Sequence, residues 1–177
     1  MLFGQSYKLS KKEKQAESFH YTTNSLSALI EKSEGSVFAF TSTLSNQTLK
    51  LSVCRKLLKE MTAILGKKVL LLTIDLKQEK TPPQKDDPEK CFDEEILLSE
   101  TSNELKSILE ERKSKYDLIF LNLAPVNIFS AALESAKLCD GVILIERYSY
   151  TKYRNYEQSL LYLKENHVPI TGVIPYK

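Results

Sequence analysis

Short apolar runs alternate along this chain with longer amphipathic stretches. Residues 36–41, 69–74, 118–121 and 142–145 are almost continuously hydrophobic, and 170–174 repeats the pattern more weakly. Runs this short, without polar alternation, predict strands buried on both faces. Between the first two, Leu51, Cys54, Leu58, Met61 and Leu65 recur every three or four residues until Gly66. That spacing predicts a helix leading directly into the second strand. A second helix is predicted over 102–115, burying Leu105, Ile108 and Leu109 while Glu111 and Lys115 pair one turn apart on the exposed side. Further helices are predicted at 129–138 and 152–166, the latter with Tyr153, Tyr156, Leu160 and Leu163 along one stripe. A tyrosine stripe at helical spacing reads as packing.

Strands separated by helices need crossover connections, which are right-handed and build a parallel sheet. The predicted fold is therefore α/β, a doubly wound and mostly parallel sheet with helices on both faces. Residues 78–93 are polar, carry prolines and lack periodicity, so they read as an exposed loop. Residues 14–30 predict one more helix, packed on the domain edge or against a neighbour. The chain accordingly divides into a basic segment with a candidate oligomerisation helix at 1–34 and a single α/β domain at 35–177.

Composition narrows the function. With 177 residues and 42% hydrophobic content, the chain can bury one substantial core. A formal charge of +2, with charges of both signs interleaved, gives no footprint for nucleic acid. Lys8, Lys11, Lys12 and Lys14 make the start locally basic, which solubilises a tail or favours an anionic membrane surface. Three dispersed cysteines, Cys54, Cys91 and Cys139, form neither a disulfide framework nor a zinc set, and predict a reducing cytosol. His20 and His167 are isolated from other metal-binding residue types, so no metal site is predicted. No run approaches the ~18 apolar residues of a membrane-spanning helix, and the expected location is cytoplasmic.

Four stretches carry a resemblance. They are Phe38-Ala39-Phe40-Thr41-Ser42; Gly66-Lys67-Lys68 running into Val69-Leu70-Leu71-Leu72; Glu95 to Ser99 through Lys115-Tyr116-Asp117-Leu118-Ile119-Phe120-Leu121; and Cys139-Asp140-Gly141-Val142-Ile143-Leu144-Ile145 with Ile170-Thr171-Gly172-Val173-Ile174. Together they resemble the bacterial tyrosine kinases of capsule and exopolysaccharide export, whose fold is that of MinD and ParA type ATPases. The likeness covers most of the chain. Glu17, Phe19 and Leu26 are similar to the family's N-terminal oligomerisation helix, which implies an oligomer contact. That helix has arginines three and six residues after its glutamate, where this chain has His20 and Thr23.

The resemblance implies an ATP site, and the residues that would build it have changed. A phosphate-binding loop needs glycines for close backbone approach, a lysine for the phosphates and a hydroxyl for magnesium. Residues 41–52 contain no glycine, and none occurs between Gly35 and Gly66. Lys50 and Ser52 are the candidate remnants of the lysine and hydroxyl, although a helix start with one solvated lysine explains them equally well. In the family's second acidic motif Thr73 takes the first carboxylate position, leaving Asp75 at the second. Asn122 stands at the Walker B position, and an amide cannot supply that charge. Lys50, Ser52, Asp75 and Asn122 thus form a vestigial nucleotide site with no catalytic residue and no cofactor.

The expected function is a non-catalytic kinase-like scaffold or regulator in capsular or exopolysaccharide assembly, working through protein–protein contacts. Its expected partner is the cytoplasmic tail of a membrane polysaccharide-export protein, or an active homologue, with recruitment to the inner face of the cell membrane. The alternatives are an ATP-binding protein or tyrosine kinase that uses Lys50, Ser52 and Asp75 with magnesium, and a MinD-like or ParA-like positioning protein without nucleotide control.

Overall fold

The computed structural model describes residues 11–43, 47–74, 91–97 and 102–176. In chain order the elements are α1 (Lys11–Lys32), β1 (Val37–Thr41), α2 (Gln47–Leu65), β2 (Val69–Ile74), β3 (Asp93–Leu97) and α3 (Ser102–Lys113). They continue with β4 (Leu118–Asn122), α4 (Ser130–Ala136), β5 (Gly141–Arg147), α5 (Tyr153–Glu165) and β6 (Ile170–Tyr176). The six strands form one sheet in the order β3-β2-β4-β1-β5-β6, and every pairing is parallel. The doubly wound α/β expectation holds.

Alternate residues of the inner strands feed two cores. Phe38, Phe40, Leu71 and Phe120 face α1 and α2, meeting Leu26, Ile30, Cys54, Leu57, Leu58 and Met61. Ala39, Leu70, Leu72, Ile119 and Leu121 face α3, α4 and α5, meeting Leu105, Leu109, Leu133 and Leu163. Both faces are therefore covered, which is why the inner strands read as unbroken apolar runs. The ring of Phe40 stacks on that of Phe120 at 5.1 Å between centroids. Gly66, at φ +60°, ends α2 in the left-handed region. Gly141 lets β5 pass Thr171, where a Cβ would collide with the threonine hydroxyl.

Several boundaries differ from the sequence reading. Strand β3 was not anticipated, and the polar stretch read as loop over 78–93 ends inside it, while 75–90 lies outside the described residues. Three carboxylates argue against a buried strand, but β3 is an edge and each acid has a partner. Asp93 accepts from Tyr116 at 2.7 Å, Glu94 meets Arg55 at 2.7 Å and Glu95 meets Arg112 at 3.0 Å. The predicted Glu111–Lys115 pair is present at 3.0 Å. Of the tyrosine stripe, Tyr156 packs against the core but Tyr153 points to solvent.

α1 is no detached arm. Its Leu26 and Ile30 belong to the α2 core, Thr23 is fully buried, and Lys56 of α2 lies 4.0 Å over the ring of Phe19. The helix anticipated over 14–30 thus packs on its own domain. No described helix is long and apolar enough to cross a membrane.

Candidate functional site

In an open parallel sheet, ligands bind beyond the carboxyl ends of the strands, where the strand order reverses. Here β1 is followed by α2 and β2 in one direction, whereas β4 leads through α4 to β5 in the other. The carboxyl ends of β1, β2, β4 and β5 therefore define the candidate site, and buried polar residues gather there.

Lys50 is the first of them. It lies in the first turns of α2, fully buried, and its Nζ donates to the backbone carbonyl oxygen of Leu123 just past β4. Burial lowers its pKa from the usual 10.5 to about 8, because an apolar surrounding disfavours the ammonium. Cys54, one turn further along the same helix, is pushed up to about 12 by the same desolvation. The reading of Lys50 as a solvated lysine at a helix start is overturned. Its side chain turns inward, and its Nζ is taken up by a carbonyl at the carboxyl end of β4. Ser52, two residues on, is exposed on the outer face of α2.

Asn122 and Thr73, at the two substituted carboxylate positions, stand opposite each other across the β2–β4 pairing. Asn122 Nδ2 approaches Thr73 Oγ1 at 3.5 Å, a weak contact, and the buried Asn122 Oδ1 has no hydrogen-bond partner. Two neutral side chains thus occupy the place where the resemblance implies acidic groups. Asp75 lies outside the described residues, as do residues 44–46 of the stretch that stands in for the phosphate loop.

The residue that sequence reasoning missed is Glu146. It ends the apolar run of β5, is buried, and its carboxylate closes the turn after β1. Oε1 accepts the backbone N–H of Thr43 at 2.9 Å, and Oε2 accepts the hydroxyls of Thr43 at 2.6 Å and Thr151 at 2.9 Å. Nearby, Thr41 Oγ1 donates to the Ala124 carbonyl oxygen at 3.0 Å. A backbone amide at the start of the loop therefore already serves an internal anion. An acid closing an otherwise apolar strand run, at its carboxyl end, was the signal available in the sequence.

The candidate oligomer contacts fare unevenly. Glu17 is exposed, Phe19 is half-buried under Lys56, and Leu26 is committed to the core at 4% exposure. Leu26 therefore cannot serve as an outward contact while α1 keeps this packing. The described residues contain no group of three or more His, Cys, Asp or Glu placed to hold a metal.

No protein-family model matches the chain, and no curated protein does. Solved structures match it in shape. The kinase domain of Escherichia coli tyrosine kinase ETK superposes with a TM-score of 0.72 at 18% identity, covering 90% of this chain and 74% of that one. The VpsO kinase domain gives 0.69 at 18% identity, covering 95% of this chain and 99% of that one. A ParA family ATPase from Chlorobium tepidum TLS gives 0.57 at 14% identity, over 79% and 72%. At such identities the likeness establishes the fold, which is that of P-loop NTPases in the form shared by bacterial tyrosine kinase domains and ParA ATPases.

Proposed function

We propose that this chain is a distant, non-catalytic relative of the bacterial tyrosine kinases, acting as a scaffold or regulator through protein–protein contacts. One observation carries the reading: the groups that would hold phosphate are spent inside the protein. Lys50 is engaged with the Leu123 carbonyl and the Thr43 amide with Glu146. A buried carboxylate beside the loop also opposes the approach of a polyphosphate, because like charges in a low-dielectric setting repel strongly. Neutral Thr73 and Asn122 remove the charge that would hold magnesium. Phosphoryl transfer depends almost wholly on positioning and charge stabilisation, so these changes together remove its basis.

The sequence resemblance and the shared kinase-domain fold support the setting we propose. The protein works in capsular or exopolysaccharide assembly, in the cytoplasm at the inner face of the membrane. There it binds the cytoplasmic tail of a membrane export protein or an active homologue. Calorimetry with magnesium and ATP at millimolar concentration is the test, followed by labelled-ATP turnover with and without such a tail. No heat and no transfer are expected. Saturable binding or turnover abolished by Lys50→Ala or Asp75→Ala would overturn the proposal and establish an ATP-binding protein with an atypical loop.

A further inference from the structure

The two edges of the sheet are finished differently. β3 bears Asp93, Glu94 and Glu95, and charge on an edge strand is the usual protection against pairing with another chain. β6 has no such protection. From Val168 to Tyr176 there is no charged residue, and Ile170 and Val173 remain 38% and 37% exposed. Pro175, which also blunts an edge, lies near the end of the strand, and among the described residues no further strand pairs with 170–174. Beside this edge a groove of about 590 Å³ opens between α5 and the start of β6. Glu157, Leu160, Leu161 and Lys164 line it from the helix, Val168 from the turn after it and Ile170 from the strand.

We propose that two copies of this chain associate through the β6 edge, strand against antiparallel strand about a two-fold axis, extending the sheet across both. The sequence of the groove-lining helix stripe selects a second copy as the occupant. Its residues fall at i, i+3, i+4 and i+7 and read Glu, Leu, Leu, Lys. Turned about an axis between Leu160 and Leu161, the stripe matches itself: Glu157 meets Lys164 of the second copy, and Leu160 meets Leu161. Within one helix those two charges lie about 10 Å apart along the axis, too far to pair. Neither enters an ion pair among the described residues. An isologous contact requires this self-complementarity.

The spacing agrees. α5 joins β5 to β6, and its mate across the new strand pair would stand about two strand spacings away, roughly 10 Å. That is the ordinary separation of packed helices. Lys164 and Ile170 line the same groove, and three to four residues of helix cover about the same 5–7 Å as two residues of strand. The axis therefore passes near Gly172, so residues 170–174 pair with themselves. Because β6 is uncharged, that pairing sets no like charges side by side. α1 packs against β6 too, its Leu26 and Ile30 sharing a core with Ile174, and the proposed pairing does not depend on the non-catalytic reading of the nucleotide site.

Sedimentation equilibrium of the full chain from about 1 to 200 µM, with hydrogen exchange at low and high concentration, tests it. A monomer–dimer equilibrium is expected, with the amides of 170–174 gaining protection as the dimer fills. Glu157→Lys and Lys164→Glu, both on the exposed face of α5, should each weaken association at least tenfold, since each sets like charges together at both ends of the contact. The double exchange should restore it to within about threefold. A monomer throughout this range overturns the proposal and leaves the edge to a different chain. Association that ignores both single reversals, or that leaves 170–174 unprotected, overturns it as well.

Discussion

Lys50→Met exchanges a fully buried amine for an apolar side chain of similar length, and its effect should change sign with pH. In the folded chain the pKa is about 8 against 10.5 for an ordinary lysine. Below pH 8 both states carry the proton, and folding bears the full cost of burying the ammonium. The difference corresponds to about 3 kcal/mol, at ~1.4 kcal/mol per unit. Against it stands the hydrogen bond to the Leu123 carbonyl, worth about 1–2 kcal/mol, which methionine forfeits. At pH 7 the variant should therefore be more stable by about 1–2 kcal/mol. Between pH 8 and 10.5 the unfolded wild-type chain binds more protons than the folded one, so its stability rises with pH and recovers that ~3 kcal/mol. Near pH 10 the wild type should be the more stable of the two. Urea titrations at pH 7, 8, 9 and 10 provide the assay, run in a Cys54→Ala background. The Cys54 thiol, held at about 12, titrates in the opposite sense beside Lys50, because the unfolded state loses its proton first and stability falls above pH 9. Cys139 is raised to about 12 as well but is common to both chains and cancels. Stability curves that run parallel from pH 7 to 10 would refute the buried-ammonium account. So would a wild type more stable at pH 7 by over ~2 kcal/mol.

Three further substitutions probe the polar residues around the site and the β3 edge. Asn122→Val removes a buried Oδ1 that has no partner, and should leave stability unchanged or raise it by up to ~2 kcal/mol in denaturant titrations; a loss above ~1 kcal/mol would mean the amide is satisfied. Glu146→Gln keeps the shape but removes the charge from three hydrogen bonds, and should cost about 1–3 kcal/mol, with faster exchange of the Thr43 amide. Arg55→Ala leaves Glu94, with only 7% of its side chain exposed, without its guanidinium, and should cost about 2–4 kcal/mol and loosen exchange protection over 93–97.

The inner strands were legible because burial on both faces leaves no polar alternation, as Phe38 to Phe40 and Leu70 to Leu72 show. Strand β3 was not, because an edge tolerates Asp93, Glu94 and Glu95 once Tyr116, Arg55 and Arg112 arrive from other elements. Of the candidate site, residue types alone revealed the missing glycines and the neutral Thr73 and Asn122. They could not reveal which way Lys50 points, since its partner is a backbone carbonyl 73 residues away. Nor could they pair Glu146 with Thr43, 103 residues apart.

What the sequence determined by itself is the layer architecture and the residue types at the strand ends, a stretch without glycine at 41–52 and neutral side chains at Thr73 and Asn122, since periodicity and residue type are local properties of the chain. The tertiary structure decided where the remaining polar groups are satisfied: the amine of Lys50 inside the sheet's carboxyl edge, the carboxylate of Glu146 across the turn after β1, and Leu26 in the core rather than on an outward face. A buried polar or apolar group takes whatever partner the closed fold brings to it, and that choice exists only once distant segments have met.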